Sequence, residues 1–183
     1  MKLAEELTKR EIEEYIAEYI RVWKEKDRKT FENTHIELLE NKFLTKQQLF
    51  DIAYWKTHRK SKIVKDNPEE IVKDVTELVL KMANDKKIEK FKIRMLCTLD
   101  GIGIPRASTI LTMNNPDEYG IIDVYAWFAL YGKDKKGFDE NDWIEYLERI
   151  RQLAEKHGKT AREIDMALMK YGQKVKSESR FVK

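Results

Sequence analysis

The sequence predicts an all-α fold, and three observations carry that reading. Apolar residues recur at helical spacing almost throughout, and strand-type alternation is nowhere sustained. Helix start signals repeat along the chain. Only 7 Gly and 3 Pro occur in 183 residues, too few for a loop-rich or all-β chain.

The elements follow in order. Thr8 with Glu11 forms a capping box ahead of Ile12, Tyr15, Ile16, Tyr19, Ile20 and Trp23, one apolar face read as core. A second helix is expected around Phe31 to Leu39. A third starts near Thr45, with Gln48 in the reciprocal position, and runs to about Lys56. Asn67-Pro68-Glu69-Glu70 predicts an N-cap, Pro at the first helical position and acids in the first turn. Ile71, Val75, Leu78, Val79 and Met82 continue that helix. The next covers Ile88 to Leu96 and stops at Asp100-Gly101, and another begins near Pro105 and breaks at Asn114-Asn115-Pro116. A short apolar helix, Val124 to Tyr131, follows Asp123. Asp139 or Asn141 opens a longer helix closed by Gly158, and Thr160 with Glu163 opens the last.

Composition bounds the function classes. The chain is 42% hydrophobic and 38% charged, which suits a folded domain with a heavily charged surface. One Cys excludes an intrachain disulfide and a four-cysteine zinc or iron–sulfur site. The opening MKLAEELTKREIEEY has no apolar signal core, and Val124 to Tyr131, the longest apolar run, is too short to span a bilayer. The expected setting is reducing and cytoplasmic, or nucleoid-associated in a prokaryote, with no membrane partner. The net charge of +3 implies little, but its distribution says more. Lys56, Arg59, Lys60, Lys62 and Lys65 form one local basic segment. Lys170, Lys174, Lys176, Arg180 and Lys183 form another. These can face phosphate, or be ordinary solvated surface.

Leu99-Asp100-Gly101-Ile102-Gly103-Ile104-Pro105-Arg106-Ala107 is the informative segment. Two glycines one residue apart join two predicted helices. Glycine permits the positive φ of a tight turn and a close backbone approach. The free amides of the turn and of the next helix, with the helix dipole, can dock a phosphate. A Gly-rich stop between helices is the bland alternative. Asp123 lies 22 residues after Gly101, so one helix and one loop can bring its carboxylate back toward the turn. It reads either as an N-cap or as a partly buried acid at the mouth of a cleft.

LCTLDGIGIPRASTIL followed by IIDVYAWFAL resembles the helix-hairpin-helix DNA glycosylase superfamily. The matching positions are Leu99, Gly101, Ile102, Gly103, Ala107 and the Ile121-Ile122-Asp123 triplet, within about a fifth of the chain. The lead-in from Leu96 to Leu99 looks closest to the 8-oxoguanine branch, whose extra β-domain the chain has no room for. The resemblance implies two helical lobes around a cleft in a single domain over 1–183, with the hairpin motif at about 88–113 and the catalytic segment at about 121–131. It implies base-excision repair on double-stranded DNA, with Asp123 as the catalytic carboxylate. Gly101, Ile102, Gly103, Ile104 and Arg106 would hold the DNA backbone. It also implies a monovalent cation, K+ or Na+, on the carbonyls of Cys97, Leu99 and Ile102, with no other cofactor and no iron–sulfur cluster. Bifunctional members carry a Lys two positions after the second glycine, and Pro105 stands there. The implied activity is therefore that of a single-function glycosylase, expected as a monomer.

A flipped base needs an aromatic pocket, for which Tyr125, Trp127 and Trp55 are candidates, with core as the alternative for each. In the run Tyr54 to Arg59, Lys56 and Arg59 are candidate phosphate contacts, or simply favourable cations at a helix C-terminus. His35 and His157 have no partner at metal spacing, and Cys97 reads as packed. The alternatives to an enzyme are a non-catalytic duplex-binding module on the same fold and a helical interaction domain.

Overall fold

A computed structural model describes residues 2–83 and 85–181. Nine α-helices occur among them, with no strand: α1 (Lys9–Val22), α2 (Glu25–Asn41), α3 (Lys46–Lys56), α4 (Glu69–Lys81), α5 (Lys86–Leu96), α6 (Ile104–Asn114), α7 (Val124–Tyr131), α8 (Glu140–His157) and α9 (Ala161–Phe181). Two short 3-10 turns, Ala4–Glu6 and Ser61–Asp66, complete the chain. No described helix is long and apolar enough to cross a membrane.

Local chemistry sets most boundaries. Thr8 and Glu11 form the reciprocal capping box of α1, and Lys2 pairs with Glu11 as well. Those hydrogen bonds hold the Glu11 carboxyl down at about 2. Thr45 and Gln48 cap α3 in the same way, and Asp139 caps α8. Gly132 and Gly158 end α7 and α8 in the left-handed conformation. One start signal is used differently. The cap position of α4 is Pro68, and its helix begins at Glu69. The Asn67 side chain turns away from α4 and binds the hairpin, as described below.

The helices form two sets of packing partners. In one, α1, α7 and α8 lie against α9. In the other, α2 and α3 pack on α6, with α4 and α5 beside them. The α5–α8 contact joins the sets, and there the buried Glu89 accepts hydrogen bonds from Tyr119 and Arg151. The tightest approach is between α7 and α9. A Cβ added at Gly172 would lie 2.0 Å from the Tyr125 carbonyl oxygen, so only glycine admits α7 there. The apolar stripes are narrower than the sequence suggests. Ile20 of α1, Ile71 and Leu78 of α4, and Phe91 of α5 are exposed, while Val72, Thr76 and Val79 form the buried face of α4.

Candidate active site

The two-glycine turn is held from behind. Gly101 has φ +78°, and a Cβ there would meet Val64 Cγ2 at 2.9 Å. Both the conformation and the contact with the Ser61–Asp66 turn therefore require glycine. Asn67 clamps Asp100 on two sides: its Oδ1 accepts the Asp100 amide (2.8 Å) and its Nδ2 donates to the Asp100 carbonyl (2.9 Å). Gly103 faces open space. The Ile102 amide is used by Leu99 O and the Arg106 amide by Gly103 O. The Gly103 and Ile104 amides take no partner among the described residues and cap the start of α6. Exposed Arg59, Lys60 and Lys62 flank the Ile63–Val64 surface on which Gly101 packs.

Arg106, expected to hold the DNA backbone with the other residues of the hairpin, has its amide on Gly103 O and turns its guanidinium into the protein. It is 7% exposed and donates to Gly101 O (2.6 Å), Thr57 O (2.9 Å) and Arg59 O (2.8 Å). The side chain thus ties the hairpin to the end of α3. Its planar fork can satisfy all three carbonyls at once.

The Ile121-Ile122-Asp123 segment is extended and pinned by its backbone. The Ile121 amide donates to Asp165 Oδ2 (2.7 Å), the Ile122 amide to Ser108 Oγ (3.3 Å), and Tyr146 donates its hydroxyl to Ile121 O (3.2 Å). Ser108 belongs to α6, so the hairpin's second helix and the Asp123 segment are directly joined. Asp123 is the N-cap of α7: its Oδ1 accepts the amides of Tyr125 (2.7 Å) and Ala126 (2.8 Å). The second oxygen, Oδ2, has no hydrogen-bond partner among the described residues. The residue is half-buried and lines a cavity of about 180 Å³. The two sequence readings of Asp123 therefore coexist. One oxygen caps a helix and the other is available.

That cavity lies between the two helix sets. Tyr19 comes from α1 and Trp23 from its C-terminal cap, Asp27 from α2, Trp55 and Lys56 from α3, and Arg162, Asp165 and Met169 from α9. Arg162 is buried against Tyr19, Trp23 and Phe31, 5.2–5.6 Å from their ring centres. It donates to Asp165 Oδ1 (2.6 Å) and to the Tyr19 hydroxyl (2.9 Å). The two terminal nitrogens are thus paired within the protein, while Nε is buried without a hydrogen-bond partner among the described residues, and the pair forms one wall of the cavity. Lys56 is the exception: among the described residues its amine has neither a hydrogen bond nor an ion pair. Burial pushes its pKa down, against the attraction of Asp123 and Asp165 and with the repulsion of Arg162. The sequence reading placed Lys56 on phosphate, whereas the structure puts it in the cavity beside Asp123. The signal was its position in the last turn of α3, but sequence could not show which way the stem runs.

The remaining candidates divide. Trp55 lines the cavity, with its indole N–H bound to Asp27 O (2.9 Å). Asp27 and Trp55 also border an adjoining groove of about 650 Å³, where Tyr54 stacks on His58. Trp127 is corrected to core: it is buried against Tyr131 and Phe138 and does not line the cavity. Tyr125 also lies off the cavity, under Lys176. Arg59 is exposed and close to the hairpin through its own carbonyl. Cys97 is half-buried, and burial raises its thiol to about 11, which suits a packed residue. Leu99 O accepts the Ile102 amide, yet a carbonyl keeps a second lone pair, so Cys97, Leu99 and Ile102 can still offer oxygens to a monovalent cation. His35 binds Met113 O (2.7 Å) through Nδ1, and His157 is buried in α8. The second basic segment is largely spent on internal contacts: Lys170 with Glu18, Lys174 with Tyr15, and Lys176 with Asp134. Lys183 and the Arg180 side chain lie outside the described residues.

Asp165 and Arg162 were missed because their value is positional. Nothing in TAREID marks them except a polar pair three apart on a helix. Compared with models of known protein families, with curated proteins and with solved structures, the chain gives no significant match.

Proposed function

We propose that the chain is a DNA glycosylase of the helix-hairpin-helix type, with two helical lobes around the cavity that holds Asp123. One observation supports this most: a carboxylate with a free oxygen lines a cavity and is tied through Ser108 and α6 to a two-glycine turn with open amides. In this reading the Gly103 and Ile104 amides bind a backbone phosphate, with Arg59, Lys60 and Lys62 alongside. A monovalent cation on the Cys97, Leu99 and Ile102 carbonyls would add positive charge beside that phosphate. The nucleotide is turned out of the duplex toward Trp55. Cleavage of the C1′–N bond develops positive charge on the sugar, which the Asp123 carboxylate stabilises while it orients a water. The work is base excision in a reducing, DNA-containing compartment.

The test is a panel of duplexes carrying 8-oxoguanine, uracil, hypoxanthine or alkylated purines, with alkali revealing abasic sites. Excision of at least one lesion is expected. Asp123→Asn should lower it about 100- to 1000-fold with duplex binding retained, because the carboxylate is lost from the transition state. Asparagine still caps a helix, so α7 should persist. Binding with no excision on any lesion would favour a non-catalytic duplex-binding module, and absence of both would overturn the reading.

A further inference from the structure

Pro105 removes the amine from the hairpin, but it does not leave the site without one. Lys56 reaches the Asp123 cavity from a different element, the last turn of α3. Its position is not loose. Arg106 binds Thr57 O and Arg59 O, the carbonyls just beyond Lys56, and joins them to Gly101 of the hairpin. Trp55, the preceding residue, is anchored to Asp27 O on α2. The chain on either side of Lys56 is therefore anchored, while its amine has no partner among the described residues.

We propose that the Lys56 amine captures the C1′ aldehyde of an abasic deoxyribose as a Schiff base beside the Asp123 carboxylate. This inference rests on the DNA-excision reading and extends it from removal of the base to covalent handling of the sugar left behind. A ring-opened abasic sugar presents an aldehyde, and a neutral amine is the group that adds to it. The Nζ lone pair forms a bond to C1′. The carbonyl oxygen takes up the two amine hydrogens and departs as water, leaving a C1′=N double bond. No oxidant or reductant is consumed. The charged and titratable groups facing Lys56 are Asp123 from the extended segment, Asp165 and Arg162 from α9, Tyr19 from α1 and Asp27 from α2. Burial disfavours the ammonium form more than Asp123 and Asp165 favour it, so the reactive neutral amine is populated at lower pH than for a surface lysine.

The experiment uses a duplex with one abasic site, made by treating a uracil-containing strand with a uracil glycosylase, so the natural lesion need not be known. Borohydride is added to reduce and trap an imine. Wild-type protein should give a covalent protein–DNA product, and the adduct should map to the peptide holding Lys56. Its yield should rise with pH through a midpoint below that of an ordinary lysine. Lys56→Ala and Lys56→Arg should each lower trapping by at least about 100-fold, because a positioned amine has an effective molarity far above that of scattered surface lysines. Arginine keeps a cation in the cavity, so loss in both variants assigns the effect to the amine. Trapping that persists in the variants, or maps elsewhere, overturns the inference. A wild type that excises bases but does not trap refutes Lys56 while leaving the excision reading intact. If it neither excises, traps nor binds duplex, the excision reading itself fails.

Discussion

Arg106 shows how a side chain can serve a site without facing it. Its guanidinium satisfies three carbonyls from the hairpin and from the chain leaving α3. Removing it would leave those oxygens without their partner in a part-buried setting. Arg106→Ala should therefore destabilise the fold by about 3 kcal/mol, read as a lowered urea midpoint. Arg106→Lys should recover only part of this, because an ammonium lacks the planar fork. Unchanged stability in the alanine variant would mean water replaces the fork freely. The sequence singles out this residue by its place after the glycine turn and not by its side chain, since an arginine there looks the same whether it points out or in. Asp123 was legible because two apolar residues before it and an apolar helix after it force a cap at the edge of the core. Lys56 was seen as a cation but not as a cavity residue, because its environment is assembled from four other parts of the chain.

Among the helices, α7 and α9 set the position of the site. Gly172 lies in the interior of α9, where alanine would ordinarily be favoured by up to about 1 kcal/mol. Here the sign should reverse. The Cβ of Gly172→Ala would fall on the Tyr125 carbonyl, so α7 must shift, at an expected net cost of about 1–3 kcal/mol in a denaturation titration. Since Asp123 caps α7, excision should fall further than stability alone accounts for. A neutral or stabilising result would show that α7 has room to move. Element boundaries were mostly readable, because caps are local chemistry: Thr8, Thr45, Asp139 and Gly158 all serve as their side chains or conformations suggest. Asn67 is the instructive failure. Its local signal is a helix cap, but a residue thirty-three positions away competes for its amide and wins. Likewise Ile71, Leu78 and Phe91 fit a helical period and still face solvent, because periodicity fixes spacing and not which edge of the stripe meets a neighbour.

On the scale of the whole molecule, net charge hides a sidedness that the fold reveals. The basic segment around residues 56–65 is carried beside the hairpin, with Arg59, Lys60 and Lys62 exposed, while the lysines of α9 are engaged within the protein. On the proposed reading Arg59, Lys60 and Lys62 each meet a phosphate, and log K for duplex binding should then fall with log salt at a slope of about −3. Lys60→Ala and Lys62→Ala should each reduce that slope by about 1, whereas Lys170→Ala should leave it unchanged. A flat salt response would remove the hairpin side as the contact face. The composition alone allowed either segment to be the footprint, and only the ion pairs of α9 distinguish them.

The docking of α9 on α1 sets the order in which the parts become competent. Arg162 and Asp165 reach the cavity from α9, more than a hundred residues after the α1 side chains they meet. As the polypeptide leaves a ribosome, the hairpin and its neighbours α2 to α5 emerge well before α9 does. A nascent chain can thus fold the hairpin side before the Asp123 cavity, whose wall closes only through the pairing of α1 with α9 across a large separation in sequence.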